Sequence, residues 1–276
     1  MITDVIHLKD SFPFLGEDGR DPILTTYIQE NMIKMGRENQ KRPAILVCPG
    51  GGYANVSERE AEPIALQFLP AGYNVFVLTY SVVPYTFPAQ LREVAAAMEL
   101  LYQNADKWHV DTDRIAILGF SAGGHLAGHY SNCYDIPEVR QWFPESKPVS
   151  ASVLCYPVVT ANPRHCNLGS FLNLLGKKEL TGEEIEKLSL ENHVSDRTPP
   201  TFLWHTASDN CVPVMNTILY AQALAQYKRP FAVHIYPEGV HGLSTADKQT
   251  VADVTDGVVH ASDWLDAARK WLKLTL

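Results

Sequence analysis

The sequence predicts one doubly wound α/β domain over residues 1–276, with a mostly parallel sheet, helices on both faces and a small cap-like insertion at about 160–200. Three observations lead there. Near-continuous runs of Val, Ile, Leu and Phe recur along the chain, as in strands covered on both faces. Amphipathic, helix-like segments lie between them. The composition, 46% hydrophobic and 20% charged, is that of a chain able to bury one large core.

Taken in order, "DVIHL" and "ILTTYI" read as an antiparallel edge. "RPAILVCPG" (42–50) follows as a buried strand that runs into the glycine triplet Gly50, Gly51 and Gly52. In "NVSEREAE", Ser57 and Glu60 have capping-box spacing, with Pro63 then inside the helix, and Glu58 and Glu60 read as solvated charges. "GYNVFVLTYSV" (72–82) is the next strand. "PAQLREVAAAMELLYQ" sets Leu91, Val94, Met98 and Leu101 on one helical stripe, with Pro88 in the first turn.

"DRIAILGFS" (113–121) leads directly into the helix-like "AGGHLAGHY", and "VSASVLCYPVV" (149–159) is a further strand. Asn, Pro and Gly accumulate over 160–200, where Thr181 and Glu184 form a capping-box signature, so this stretch reads as an insertion over the sheet. "TFLWHTAS" (201–208) and "FAVHIYPEG" (231–239) complete the strands. The C-terminal helix places Trp264, Ala268 and Trp271 on one stripe.

Chemistry concentrates at strand ends. "GFSAGG" (119–124) fits G-x-S-x-G between a strand and a helix, the setting of a nucleophile elbow, with Gly119 and Gly123 clearing room around Ser121. A glycine-rich turn with a helix-capping serine has the same local pattern, so the assignment needs partners. Such a nucleophile takes an acid and then a base from loops after later strands. Asp209 leaves the strand at 201–208, with Pro213 able to start the next helix, and His241 lies in a Gly-flanked loop after 231–239. Asp196 is the alternative acid, while His205 and His234 lie inside strands and read as packed side chains.

The glycine triplet lacks both G-x-G-x-x-G and a terminal GK[ST], so it is a poor phosphate cradle. With a serine nucleophile nearby it suits an oxyanion hole, formed by a backbone N–H of Gly52, or Gly51 as the alternative, together with that of Ala122. His125 and His129 have i, i+4 spacing but lack the glutamate of HExxH and a third ligand, so no metal is expected.

The motifs "PGGGY", "GFSAGGH", "SLENHV", "PPTFLWHTASDNCVP" and "GVHGLS", spread over about 42–245, resemble the α/β-hydrolase carbohydrate-esterase group that includes acetyl-xylan-esterase-like proteins. Pro49 stands where many related esterases have the histidine of HGGG. The resemblance implies an α/β-hydrolase fold, removal of acetyl groups from sugars or oligosaccharides, no cofactor, and Ser121, Asp209 and His241 as nucleophile, acid and base. Tyr53 is expected to contact substrate; with Tyr85 and Trp204 it could line an acyl or sugar pocket or simply pack, and packing is the commoner fate of each aromatic taken alone. An amidase, formamidase or small peptidase would use the same triad. A non-catalytic binding protein on this scaffold would ordinarily lack one of its members.

The net charge of −8 and the lack of a basic block argue against nucleic acid and anionic membrane as partners. The start of the sequence does not read as a signal peptide, which predicts a cytoplasmic protein acting on a small-molecule ester, and a homo-oligomer is compatible with the sequence. Five dispersed cysteines suit reduced thiols rather than a disulfide framework.

Overall fold

Eight strands form one sheet in the computed structural model, which describes residues 1–276. They are β1 (Ile2–His7), β2 (Ile23–Ile28), β3 (Arg42–Cys48), β4 (Asn74–Thr79), β5 (Val110–Phe120), β6 (Ala151–Cys155), β7 (Thr201–Thr206) and β8 (Phe231–Tyr236). Their spatial order is β1-β2-β4-β3-β5-β6-β7-β8. β1 and β2 are antiparallel, as is β2 to β4, and the pairs from β4 to β8 are parallel.

Ten helices accompany the strands: α1 (Leu8–Ser11), α2 (Glu62–Phe68), α3 (Ala89–Gln103), α4 (Ser121–Cys133), α5 (Pro137–Arg140), α6 (Leu168–Leu175), α7 (Gly182–Leu188), α8 (Met215–Gln226), and, after β8, α9 (Asp256–Ala261) and α10 (Trp264–Thr275). The alternation of side chains along each strand explains the continuous apolar runs. Ala44 and Leu46 of β3 join a core with α3, α4 and α8, while Ile45 and Val47 join a second core with α2 and α10. β8 departs from the expected two-sided burial because it is the sheet edge, and Phe231 and Ile235 are exposed.

The expected helical stripes face these cores. Leu91, Val94, Met98 and Leu101 are buried, and α3 begins at Ala89, one residue after Pro88. Trp264 is fully buried and stacks on Trp204 of β7 at 5.0 Å between ring centroids, fixing α10 to the sheet one strand in from its β8 edge. Trp271 is half-buried against the same core. Thr181 and Glu184 exchange both hydrogen bonds of a capping box at the start of α7. The segment 160–200 contains α6 and α7, and its Phe171, Leu174, Leu188 and Leu190 are buried in the core shared with α4.

The chain passes from β3 outward to β4 and then crosses back to β5 on the other side of β3. Loops after β3 and β5 consequently diverge, opening a crevice at the carboxyl ends of the strands, the usual position of a ligand site in such sheets. The glycine triplet follows β3, and Ser121 follows β5.

Candidate active site

Ser121 begins α4 in a left-handed backbone conformation, φ 52°. For a residue with a Cβ this costs about 1–2 kcal/mol, and tight packing must hold it there. Gly123 permits that packing: a Cβ at this position would lie 2.1 Å from the Pro49 carbonyl oxygen and 2.2 Å from that of Cys48. The first turn of α4 thus presses on the end of β3, and the serine is set at the crevice between the two strands.

His241, Asp209 and Ser121 form a continuous hydrogen-bonded relay. His241 Nε2 lies 2.8 Å from Ser121 Oγ, and His241 Nδ1 lies 2.6 Å from Asp209 Oδ2. With Nδ1–H donating to the carboxylate, Nε2 is left to accept the serine proton. The other carboxylate oxygen accepts hydrogen bonds from the N–H groups of Cys211 and Val212, each at 2.9 Å. Asp196 is exposed and takes no part in the relay.

His205 has a second contact that its place within a strand did not reveal. Its Nε2 is 2.9 Å from the Val212 carbonyl and 3.3 Å from Asp209 Oδ2, while Nδ1 faces the Thr217 hydroxyl at 2.8 Å. Two acceptors at Nε2 assign the proton to that nitrogen. Burial pushes the Asp209 carboxyl upward, but hydrogen bonds from His205, His241 and Val212 and the charge of His241 outweigh it, holding Asp209 well below the usual carboxylate range. His234 is a packed strand histidine stacked on Phe202 at 4.9 Å.

Across the crevice, Gly51 has φ 125°, and a Cβ there would lie 2.1 Å from the Asn55 carbonyl oxygen. Only glycine fits this turn. The Gly51 and Gly52 N–H groups have no acceptor within the chain. Ala122 is the second residue of α4, where helix geometry leaves the N–H without an intrahelical partner. The loop is tied down by its carbonyls: Tyr80 donates to Pro49 at 2.6 Å and Asn173 to Gly52 at 2.9 Å.

Two expectations for this loop require correction. Glu60 is not solvated; it is buried, with Oε2 accepting from Gly50 N–H at 2.8 Å and Oε1 from the Tyr156 hydroxyl at 2.7 Å. Nor does Ser57 cap a helix with its side chain, because a short 3-10 turn over Glu58–Glu60 separates it from α2, which has Pro63 in its first turn. Glu58 is exposed.

Tyr53, expected to contact substrate, is turned into the core by φ 57° and is 1% exposed. Its hydroxyl pairs with His125 Nδ1 at 2.9 Å, and His125 Nε2 donates to the Leu188 carbonyl at 2.9 Å. Both ring nitrogens of His125 are therefore occupied, and burial pushes its pKa down to about 4. His129 stacks on Phe87 at 5.4 Å. Trp204 belongs to the core on the opposite face of the sheet, and Tyr85 is half-buried.

The cleft around Ser121 has a volume of about 290 Å³ and is walled mainly by polar groups, including Asn55, Ser57, Arg59, Asn167 and Ser170. Asn167 caps α6, accepting from both Ser170 N and Oγ, and its amide donates to the Cys211 carbonyl. No helix of the protein is long and apolar enough to cross a membrane.

Residues 32–224 match the model of the BD-FAE family. The chain is 37% identical over 231 residues to endo-1,4-beta-xylanase B of Butyrivibrio fibrisolvens, covering 81% of this chain and 36% of that protein. It is 30% identical over 213 residues to an acetylxylan esterase of Xylanibacter ruminicola, covering 75% of this chain and 42% of that protein. It thus spans well under half the length of either relative. The crystal structure of an acetyl ester-xyloside bifunctional hydrolase from Caldicellulosiruptor lactoaceticus superposes with a TM-score of 0.83 at 34% identity, covering 98% of this chain and 95% of that one.

Proposed function

The chain belongs to the BD-FAE family of α/β hydrolases, and from that premise we propose that it is a serine carboxylesterase removing short acyl groups, acetyl foremost, from sugars or oligosaccharides. The observation that carries the reading is the Ser121–His241–Asp209 relay, with contacts of 2.8 and 2.6 Å, opening into a small polar cleft. A long acyl chain would find little apolar wall there to compensate for leaving water. An acetyl group makes no such demand.

In this mechanism His241 takes the proton of Ser121 as Oγ attacks the ester carbonyl. Asp209 fixes the imidazole in the tautomer with Nδ1–H and stabilises the imidazolium that forms. Charge develops on the carbonyl oxygen, where the N–H groups of Gly52 and Ala122 receive it, with Gly51 as the alternative donor to Gly52. One such donor contributes on the order of 10²–10³ in kcat. The alcohol departs with the proton held by His241, and water activated by the same histidine releases the acid.

Acetylated xylo-oligosaccharides, longer-chain sugar esters, formyl amides and prolyl peptides, compared by kcat/KM, test the proposal. The acetylated sugar should be preferred. Higher kcat/KM on the amide or peptide substrates would replace esterase by amidase or peptidase.

A further inference from the structure

The sheet ends in two open edges, and only one of them is guarded. At β1, Asp4 stands in mid-strand and turns its carboxylate onto the neighbouring Val5 N–H at 2.9 Å, covering a backbone donor that an added strand would need. β8 has no such device. Its six residues, FAVHIY, include no lysine, acid, proline or glycine, and its register with β7 runs without a bulge.

The pairing of β8 with β7 determines which of its backbone groups are open. The carbonyls of Pro230 and Tyr236 accept from Thr201 and Ala207 N–H at 3.1 and 2.7 Å, so the even-numbered residues from 230 to 236 turn toward β7. Phe231, Val233 and Ile235 then point their N–H and C=O groups outward, with no partner in the chain. The side chains of these three share the face that packs toward α8, and Phe231 and Ile235 are 39% and 43% exposed. The helices that pack on either face of β8 also carry exposed apolar side chains at this edge of the molecule, Ile218 on α8 and Val259 on α9.

A second copy of the strand fits this edge. Antiparallel pairing about a two-fold axis at Val233 sets Phe231 opposite Ile235 of the second copy, and every outward N–H meets an outward carbonyl. The same register sets Lys228 of each copy opposite Glu238 of the other. Both side chains are exposed, and neither has an ion-pair partner in its own chain. An edge that is apolar at its centre and opposite in charge at its two ends is complementary to itself.

We propose that β8 is a homodimer interface, in which an isologous β8–β8 pairing centred on Val233 joins two eight-stranded sheets into one continuous sheet. Pairing of β8 with β1 of another copy would be heterologous and would propagate into open chains, and Asp4 opposes it. The pairing leaves out the cleft of Ser121, so it stands or falls apart from the esterase reading.

Sedimentation velocity over a wide range of protein concentration tests it. The wild type should sediment as a concentration-dependent dimer. Ile235→Lys, which sets a charge against Phe231 of the second copy at an already exposed position, should sediment as a monomer with the circular dichroism of the wild type. Lys228→Glu should raise the dissociation constant about tenfold, since attraction becomes repulsion at both ends, and adding Glu238→Lys to it should restore the wild-type constant. A monomeric wild type overturns the interface, as does an assembly unchanged by Ile235→Lys. Failure of the double variant to recover overturns the register about Val233.

Discussion

The Tyr156 hydroxyl donates a 2.7 Å hydrogen bond to buried Glu60 and accepts one from Ser244 N–H at 2.9 Å. Glu60 in turn holds Gly50 N–H, and the Tyr156 ring meets the His241 imidazole edge-on at 5.1 Å. One carboxylate thus joins the glycine loop to the histidine loop. Glu60→Gln preserves its shape but supplies only one carboxamide oxygen for two donors. The variant should lose about tenfold in kcat with little change in KM, and about 1.5–3 kcal/mol of stability. Steady-state kinetics and urea unfolding measure these separately; an unchanged kcat would remove Glu60 from any positioning role.

Ser121→Ala should abolish nearly all turnover, by roughly 10⁵–10⁶ in kcat, since members of such a triad act as a unit. Circular dichroism should show the wild-type fold. Ester hydrolysis within tenfold of wild type would refute the nucleophile assignment.

Asp209→Asn should lower kcat by about 10⁴ through the wrong imidazole tautomer. The carboxyl is held below its ordinary value of 3.8, so its ionised form stabilises the fold above that pH. This contribution is lost as pH falls below 3.8 toward the depressed native value. Thermal melts between pH 2 and 6 should show a shallower acid loss in the Asn variant.

Glu93 has the opposite sign. Burial pushes it up to about 7 from 4.5, although Ser81 N–H donates to it at 2.7 Å and Arg20 lies 3.4 Å away. Between these values the unfolded chain loses its proton before the folded one does. Its contribution to stability is therefore present below pH 4.5 and lost as pH rises toward 7. Glu93→Gln should flatten the stability profile across that window, measured by urea unfolding at pH 4.5, 6 and 7.5.

Elements buried on both faces were legible because alternate residues such as Leu46 and Val47 enter different cores and leave no polar face. Ser121, Asp209 and His241, which the fold brings into one hydrogen-bonded relay, stand out in the sequence because each lies just past an apolar strand. Glu60 could not: its S-x-x-E spacing imitates a helix cap, whereas its partners are set by a turn and by Tyr156, distant in sequence. The inward turn of Tyr53 is hidden from the sequence because composition does not reveal the positive φ at that residue. The burial of His205 follows from its place within a strand, but its contact with Asp209 depends on the return of the chain after β7.

The left-handed backbone of Ser121 also bears on how the chain would evolve. A glycine would occupy that position without the steric cost, and even after its own entropic cost of about 0.5–1 kcal/mol it need not weaken the fold. Foldability alone does not favour serine here; under the esterase function proposed above, the demand for turnover does. A lineage released from that demand would meet little thermodynamic resistance to Ser121→Gly, and would keep the sheet, the loops and the cleft while becoming a receptor for the molecules it once cleaved.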